Sequence, residues 1–111
     1  MSTYAVYRIW CGVLQSQVEN SVELGRIYAL EGMIGVGIAF EDQRMNGERV
    51  GFGTTIRELD WVVEEGISKK CIYDPSEDVE AIHILAKVKK IFAENGISTE
   101  PKLYHLLDLG G

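Results

Sequence analysis

Residues 34–54 read IGVGIAFEDQRMNGERVGFGT, and the folding of this stretch decides how the rest of the chain is arranged. Positions Ile34, Val36, Ile38 and Phe40 are bulky, while Gly35, Gly37 and Ala39 between them are small. That alternation is the period of a strand. After Asn46-Gly47 it resumes, with Val50 and Phe52 large and Gly51 and Gly53 bare. Asn-Gly between two alternating runs signals a hairpin. A loop of Met45, Asn46 and Gly47 sets Arg44 opposite Glu48 and Phe40 opposite Phe52, whereas a two-residue loop sets Arg44 against Arg49. Cross-strand aromatic and opposite-charge pairs each stabilise by up to about 1 kcal/mol, so the longer loop is expected. One face then carries Ile34, Val36, Ile38, Phe40 and Phe52, and the other Gly35, Gly37, Ala39, Gly51 and Gly53. Glycine weakens a strand, and a row of it implies close approach by a ligand, a second subunit or a large side chain of the same chain.

Working outward, residues 3–13 (TYAVYRIWCGV) are rich in aromatic and β-branched types and read as a strand. Residues 15–31 carry a helical stripe of Val18, Val22, Leu24, Ile27, Tyr28 and Leu30, with a shorter helix starting at Asn20-Ser21 as the alternative. Gly25 inside it suggests a close seat on the sheet. Past the hairpin, Thr55 and Glu58 have capping-box spacing, and Ile56, Leu59, Val62 and Val63 form a stripe ending at Gly66; a second helix is expected there. Residues 67–73 read as a short edge strand. Asp74-Pro75-Ser76-Glu77 opens a third helix running to Asn95-Gly96, and residues 102–109 close as a strand, or alternatively a short helix. This order predicts a single α+β domain over 1–111: a ferredoxin-like βαββαβ sandwich with an additional C-terminal helix and strand. Right-handed crossovers place the helices on one face, leaving the glycines, Tyr4, Arg8 and Trp10 looking outward.

Composition narrows the functional classes. Eleven Lys and Arg stand against 17 Asp and Glu in 111 residues, a net charge of −6. A chain so charged repels phosphate backbones, which argues against direct nucleic-acid binding. Cys11 and Cys71 are far apart with no CxxC, as expected in a reducing cytoplasm. No basic–apolar leader and no apolar run of the ~18 residues a membrane span needs is present, so a soluble cytoplasmic protein is expected.

Four groups of residues are candidates for chemistry. Gly51, Gly53, Thr54 and Thr55, at the expected helix start, could present free amides and hydroxyls to an anion. They lack the lysine of a P-loop. On the outward face, Tyr4, Arg8 and Trp10 beside Gly35 and Gly37 make a flat aromatic platform for a second copy or a planar ligand. His83 and His105 are isolated on apolar faces and have no metal-ligand spacing, so neither a metal nor a cofactor is implied. Glu41-Asp42 and Glu64-Glu65 read as solvated pairs, and Cys11 as a small buried hydrophobe. The expectation is therefore a non-catalytic binding or regulatory protein. It would be homodimeric through its open sheet face, engaging a protein partner or sequestering a small ligand. One alternative is a metabolite-binding domain or small enzyme holding a phosphate-bearing ligand at residues 51–55. Another is an acidic inhibitor of a basic, nucleic-acid-handling protein acting through Asp60, Glu64 and Glu65.

Overall fold

The computed structural model describes residues 3–18, 20–35, 37–45, 47–63 and 75–110. In chain order these form β1 (Thr3–Leu14), α1 (Ser21–Tyr28), β2 (Gly32–Gly35), β3 (Ile38–Met45), β4 (Glu48–Val63), α2 (Val79–Glu94) and β5 (Lys102–Gly110). The chain is mixed α+β. Its strands make one antiparallel sheet in the order β2-β3-β4-β1-β5. No described helix is long and apolar enough to cross a membrane.

The stretch 34–54 departs from its expected form in two ways. First, it is three strands. Gly37 takes a left-handed φ of 78° and turns the chain, so β2 folds back on β3 with Met33 opposite Ala39 and Gly35 opposite Ile38. The alternation across 34–40 therefore spans a hairpin, and Gly37 is a turn residue rather than a bare strand position. Second, the β3–β4 loop closes on two residues. Met45 faces Glu48 and Arg44 faces Arg49; a bulge then advances the register, so that Asp42 faces Phe52. The like-charge pair is tolerated because Asp42 lies between the arginines, 2.7 Å from Arg49 and 3.5 Å from Arg44. The Arg49 guanidinium also rests over the rings of Tyr28 and Phe52, 5.3 and 5.2 Å from their centroids. Gly47, with φ 79°, fits the turn.

The expected helix beginning at Thr55 is absent: β4 runs unbroken to Val63. Beyond Gly53, where its pairing with β3 ends, it is held by β1, with Thr54 opposite Cys11, Arg57 opposite Ile9 and Glu58 opposite Arg8. The capping-box residues are used otherwise. Thr55 hydrogen-bonds Gln43, and Glu58 pairs with Arg8. Pairing with β1 as far as Val63 outweighs a helical stripe whose members, Ile56, Leu59, Val62 and Val63, are mostly β-branched. The expected strand at 67–73 lies outside the described residues. The C-terminal helix and strand are not additions to a complete sandwich, since α2 and β5 are integral to it.

Helix boundaries follow local chemistry. Asn20 caps α1, its side chain accepting from the Val22 amide, so the shorter of the two expected helices forms. A Cβ at Gly25 would meet nothing outside its own helix within 4 Å, so this glycine makes no close seat. A 3₁₀ turn at Pro75–Glu77 delays α2, and Asp78 rather than Asp74 caps it. At its C-terminus Ile97 N–H bonds Phe92 O at 2.9 Å and Gly96 N–H bonds Ala93 O at 3.3 Å, with Gly96 at φ 70°. This Schellman arrangement seals the helix end with glycine in the left-handed position.

The core lies between the sheet and its helices. Cys11, Val13, Phe40 and Phe52 from the strands meet Ile27, Val88 and Phe92 from the helices, closed by Leu30 and Ile97. Phe40 and Phe52 thus share the helix-facing side as expected, and Phe40 meets Phe92 edge-on at 5.7 Å. Two clasps fix the helices. Arg57 donates to both oxygens of Asp78, each at 3.0 Å, tying β4 to the head of α2. Glu23 of α1 accepts from the amides and hydroxyls of Ser98 and Thr99 beyond α2.

Candidate functional site

The face of the sheet on which no described helix lies, here the helix-free face, is built around Trp10. On β1 it alternates with Cys11, which faces the helices, so the indole points the other way. It lies directly over Gly51 and Gly53 of the adjacent strand. A Cβ at Gly51 would fall 2.8 Å from Trp10 Cη2, and one at Gly53 2.7 Å from Trp10 Cε3. The glycines are bare because the indole occupies the room their side chains would need. On its other flank Trp10 stacks on Tyr104 of β5, centroids 4.7 Å apart and planes 29° from parallel. The ring is only 1% exposed. Of the three occupants expected for the bare glycines, the covering group at these two positions is a large side chain of the same chain.

A polar frame surrounds the stack. Gln43, also 1% exposed, donates to Gly53 O at 3.1 Å and lies 3.3 Å from Thr55 Oγ1. Arg8 donates to Glu58 at 3.0 Å and to the Arg44 carbonyl at 3.3 Å. The Tyr104 hydroxyl donates to Gln17 Oε1 at 2.8 Å, and burial pushes its ionisation up from the ordinary tyrosine range. The indole Nε1 is buried without a hydrogen-bond partner among the described residues. Leu106 is buried on this side as well, so the face is partly apolar at its centre. Towards the far edge it carries exposed Ala39 and Met33, the latter 73% exposed.

The expected site residues are brought together only in part. Arg8 and Trp10 share this face with Gly51, Gly53 and Thr55. Tyr4 belongs to β1, but its side chain is outside the described set. Thr54 is buried opposite Cys11 on the helix side. Gly35 and Gly37 lie near β2, which β3 and β4 separate from β1, and a Cβ at Gly35 would point towards Ile91 of α2. The anion site expected at residues 51–55 loses its basis, since these residues sit within β4 and no helix begins there. Gln43 and Tyr104 were missed. The strand parity of residues 102–109 already set Tyr104 on one face with Leu106, but nothing in the sequence paired that face with Trp10.

Other candidates resolve to structural roles. Burial pushes the Cys11 thiol up to about 12, with Lys89 opposing weakly, so it holds its proton at neutral pH. His105 Nδ1 lies 2.6 Å from the Tyr7 hydroxyl, and His83 is exposed on α2. No group of three His, Cys, Asp or Glu able to hold a metal occurs among the described residues. Glu41 is exposed; Asp42 is committed to Arg49. Glu64 and Glu65 lie outside the described residues. Comparison with protein-family models, curated proteins and solved structures returned no significant match.

Proposed function

We propose that this chain is a non-catalytic binding or regulatory protein that works as a homodimer, joined through the helix-free face of its sheet. The observation that carries this reading is the one-sided placement of the described helices, which leaves a face with an aromatic stack and a buried leucine at its centre and charges of both signs beside it. A two-fold interface brings the same patch to itself, so a face holding Arg8 and Glu58 can offer each sign to the other. Trp10 is already sheltered, and the group reaching the partner is Tyr104. Tyrosine is favoured at interfaces because its ring is apolar and its tip polar. The thiol of Cys11, the one nucleophile of its kind in the described chain, is held protonated, which favours binding over covalent chemistry.

The same reading takes β1, α1, β3, β4, α2 and β5 as a ferredoxin-like unit to which β2 is added at the edge. Setting β2 aside, the strands run β3-β4-β1-β5, and each helix links two strands that are not neighbours.

Light scattering at micromolar concentration tests the dimer. The expected result is twice the chain mass, falling to one chain mass for Tyr104→Glu with its circular dichroism unchanged. A wild-type protein that stays monomeric overturns the proposal.

A further inference from the structure

On the opposite side of the sheet, α2 and the β2–β3 hairpin leave an open groove of about 370 Å³. Its floor is apolar: Ile34 of β2, Ile38 of β3 and Ile91 of α2. Gly35 keeps it open, because a Cβ there would only touch Ile91 Cδ1 at 3.8 Å and anything longer would enter the space. The rim comes from α2, where Lys87 and Lys90 stand one turn apart above the isoleucines and Glu94 follows a turn later. The neighbouring Lys89 is engaged with Glu100 at 3.5 Å. Lys87 and Lys90 are exposed and make no ion pair among the described residues. In a chain of net charge −6, two unpaired ammonium groups over an aliphatic floor form a local cationic edge.

From this juxtaposition we infer a binding site for a small anionic amphiphile of the medium-chain carboxylate type. The alkyl tail lies on the isoleucines and the carboxylate meets Lys87 and Lys90. The volume is that of a small-molecule site and too small for a peptide helix. Glu94, at the far end of the rim, disfavours a second carboxylate and so selects a ligand with one charged end. The inference rests on the reading of this chain as a binding protein, but not on its dimer, because the groove faces away from the helix-free surface.

The test is a titration of the full chain with hexanoate, octanoate and 1-octanol, followed by the methyl NMR signals of Ile34, Ile38 and Ile91. Translational diffusion in the same samples reports the oligomeric state separately. Octanoate is expected to shift these methyls, binding about two- to fourfold tighter per added methylene than hexanoate. Lys87→Glu combined with Lys90→Glu, both at exposed positions, should weaken octanoate at least about tenfold and leave octanol unchanged. Gly35→Leu should block both. Absence of any shift at millimolar octanoate overturns the site. Equal binding of octanoate and octanol, insensitive to the lysine variants, overturns the carboxylate assignment. If dimerisation fails while octanoate binds, the groove stands and the dimer does not.

Discussion

Glycine has opposite meanings at different positions of this chain, and substitution should reveal them. At Gly53 a methyl group would fall 2.2 Å from Cys11 O and 2.7 Å from the indole. The oxygen belongs to backbone and the ring is fixed by its stack on Tyr104, so neither has room to withdraw. Gly53→Ala should cost about 2 kcal/mol or more, as overpacking in a close-packed interior does. Its signature is a lower urea midpoint together with altered tryptophan near-ultraviolet dichroism. At Gly25 the added methyl meets nothing, and the backbone there is ordinary helix. Gly25→Ala should instead stabilise by about 0.5–1 kcal/mol, because it removes freedom from the unfolded chain at no steric cost. A neutral Gly53→Ala would mean that Trp10 does not sit where the structure has it, and a destabilised Gly25→Ala would mean that the space beside α1 at Gly25 is not open.

At the scale of elements, the prediction concerns the clasp between α1 and the segment joining α2 to β5. Hydrogen bonds from the Thr99 amide and the Ser98 hydroxyl, with their companions, hold the Glu23 carboxyl at about 2, below its ordinary 4.5. A depressed carboxyl stabilises the fold above its unfolded value, and that contribution is lost as pH falls from about 4.5 through about 2. Glu23→Ala should therefore cost about 2 kcal/mol at neutral pH. Urea titrations in acid should show the wild type and variant converging. A gap that persists unchanged at pH 2.5 would assign the effect to packing rather than charge. This clasp is invisible in the sequence, because Glu23 and Ser98 are 75 residues apart and nothing local pairs them. Local signals placed β1, α2 with its Gly96 stop and β5, offered the shorter α1 as the alternative, and located the Asn-Gly turn but not its register. What failed depended on neighbours. Residues 55–63 have the spacing of a helix, yet they are strand because β1 pairs with them as far as Val63. Residues 34–40 alternate perfectly, yet they turn at Gly37 because glycine leaves that choice to the rest of the fold. The site divides likewise. The bare positions Gly51 and Gly53 were legible as a place something approaches, but the identity of Trp10 as their cover required the register of β1 against β4.

For the whole molecule, the acidic balance makes self-association measurable in an unusual direction. Two copies bring −6 each, so their mutual repulsion opposes the proposed dimer. Pairing of Arg8 with Glu58 across the interface would act the other way. Glu58, however, is exposed, with 54% of its side chain accessible, and an ion pair of that kind stabilises by under about 1 kcal/mol and is itself screened. The long-range term should win at low salt, where the screening length is about 30 Å at 0.01 M against about 8 Å at 0.15 M. Raising the salt should therefore tighten the dimer, the reverse of an interface held by ion pairs. Mass action adds a second expectation: if the dimer is linked to folding, the melting temperature must rise with protein concentration. Sedimentation equilibrium at the two ionic strengths, with melting curves over a hundredfold range of concentration, measures both. A dissociation constant that increases with salt would transfer the interface from its apolar centre at Tyr104 to its charged margin. A melting temperature indifferent to concentration would leave the helix-free face as a surface that the chain has already covered for itself.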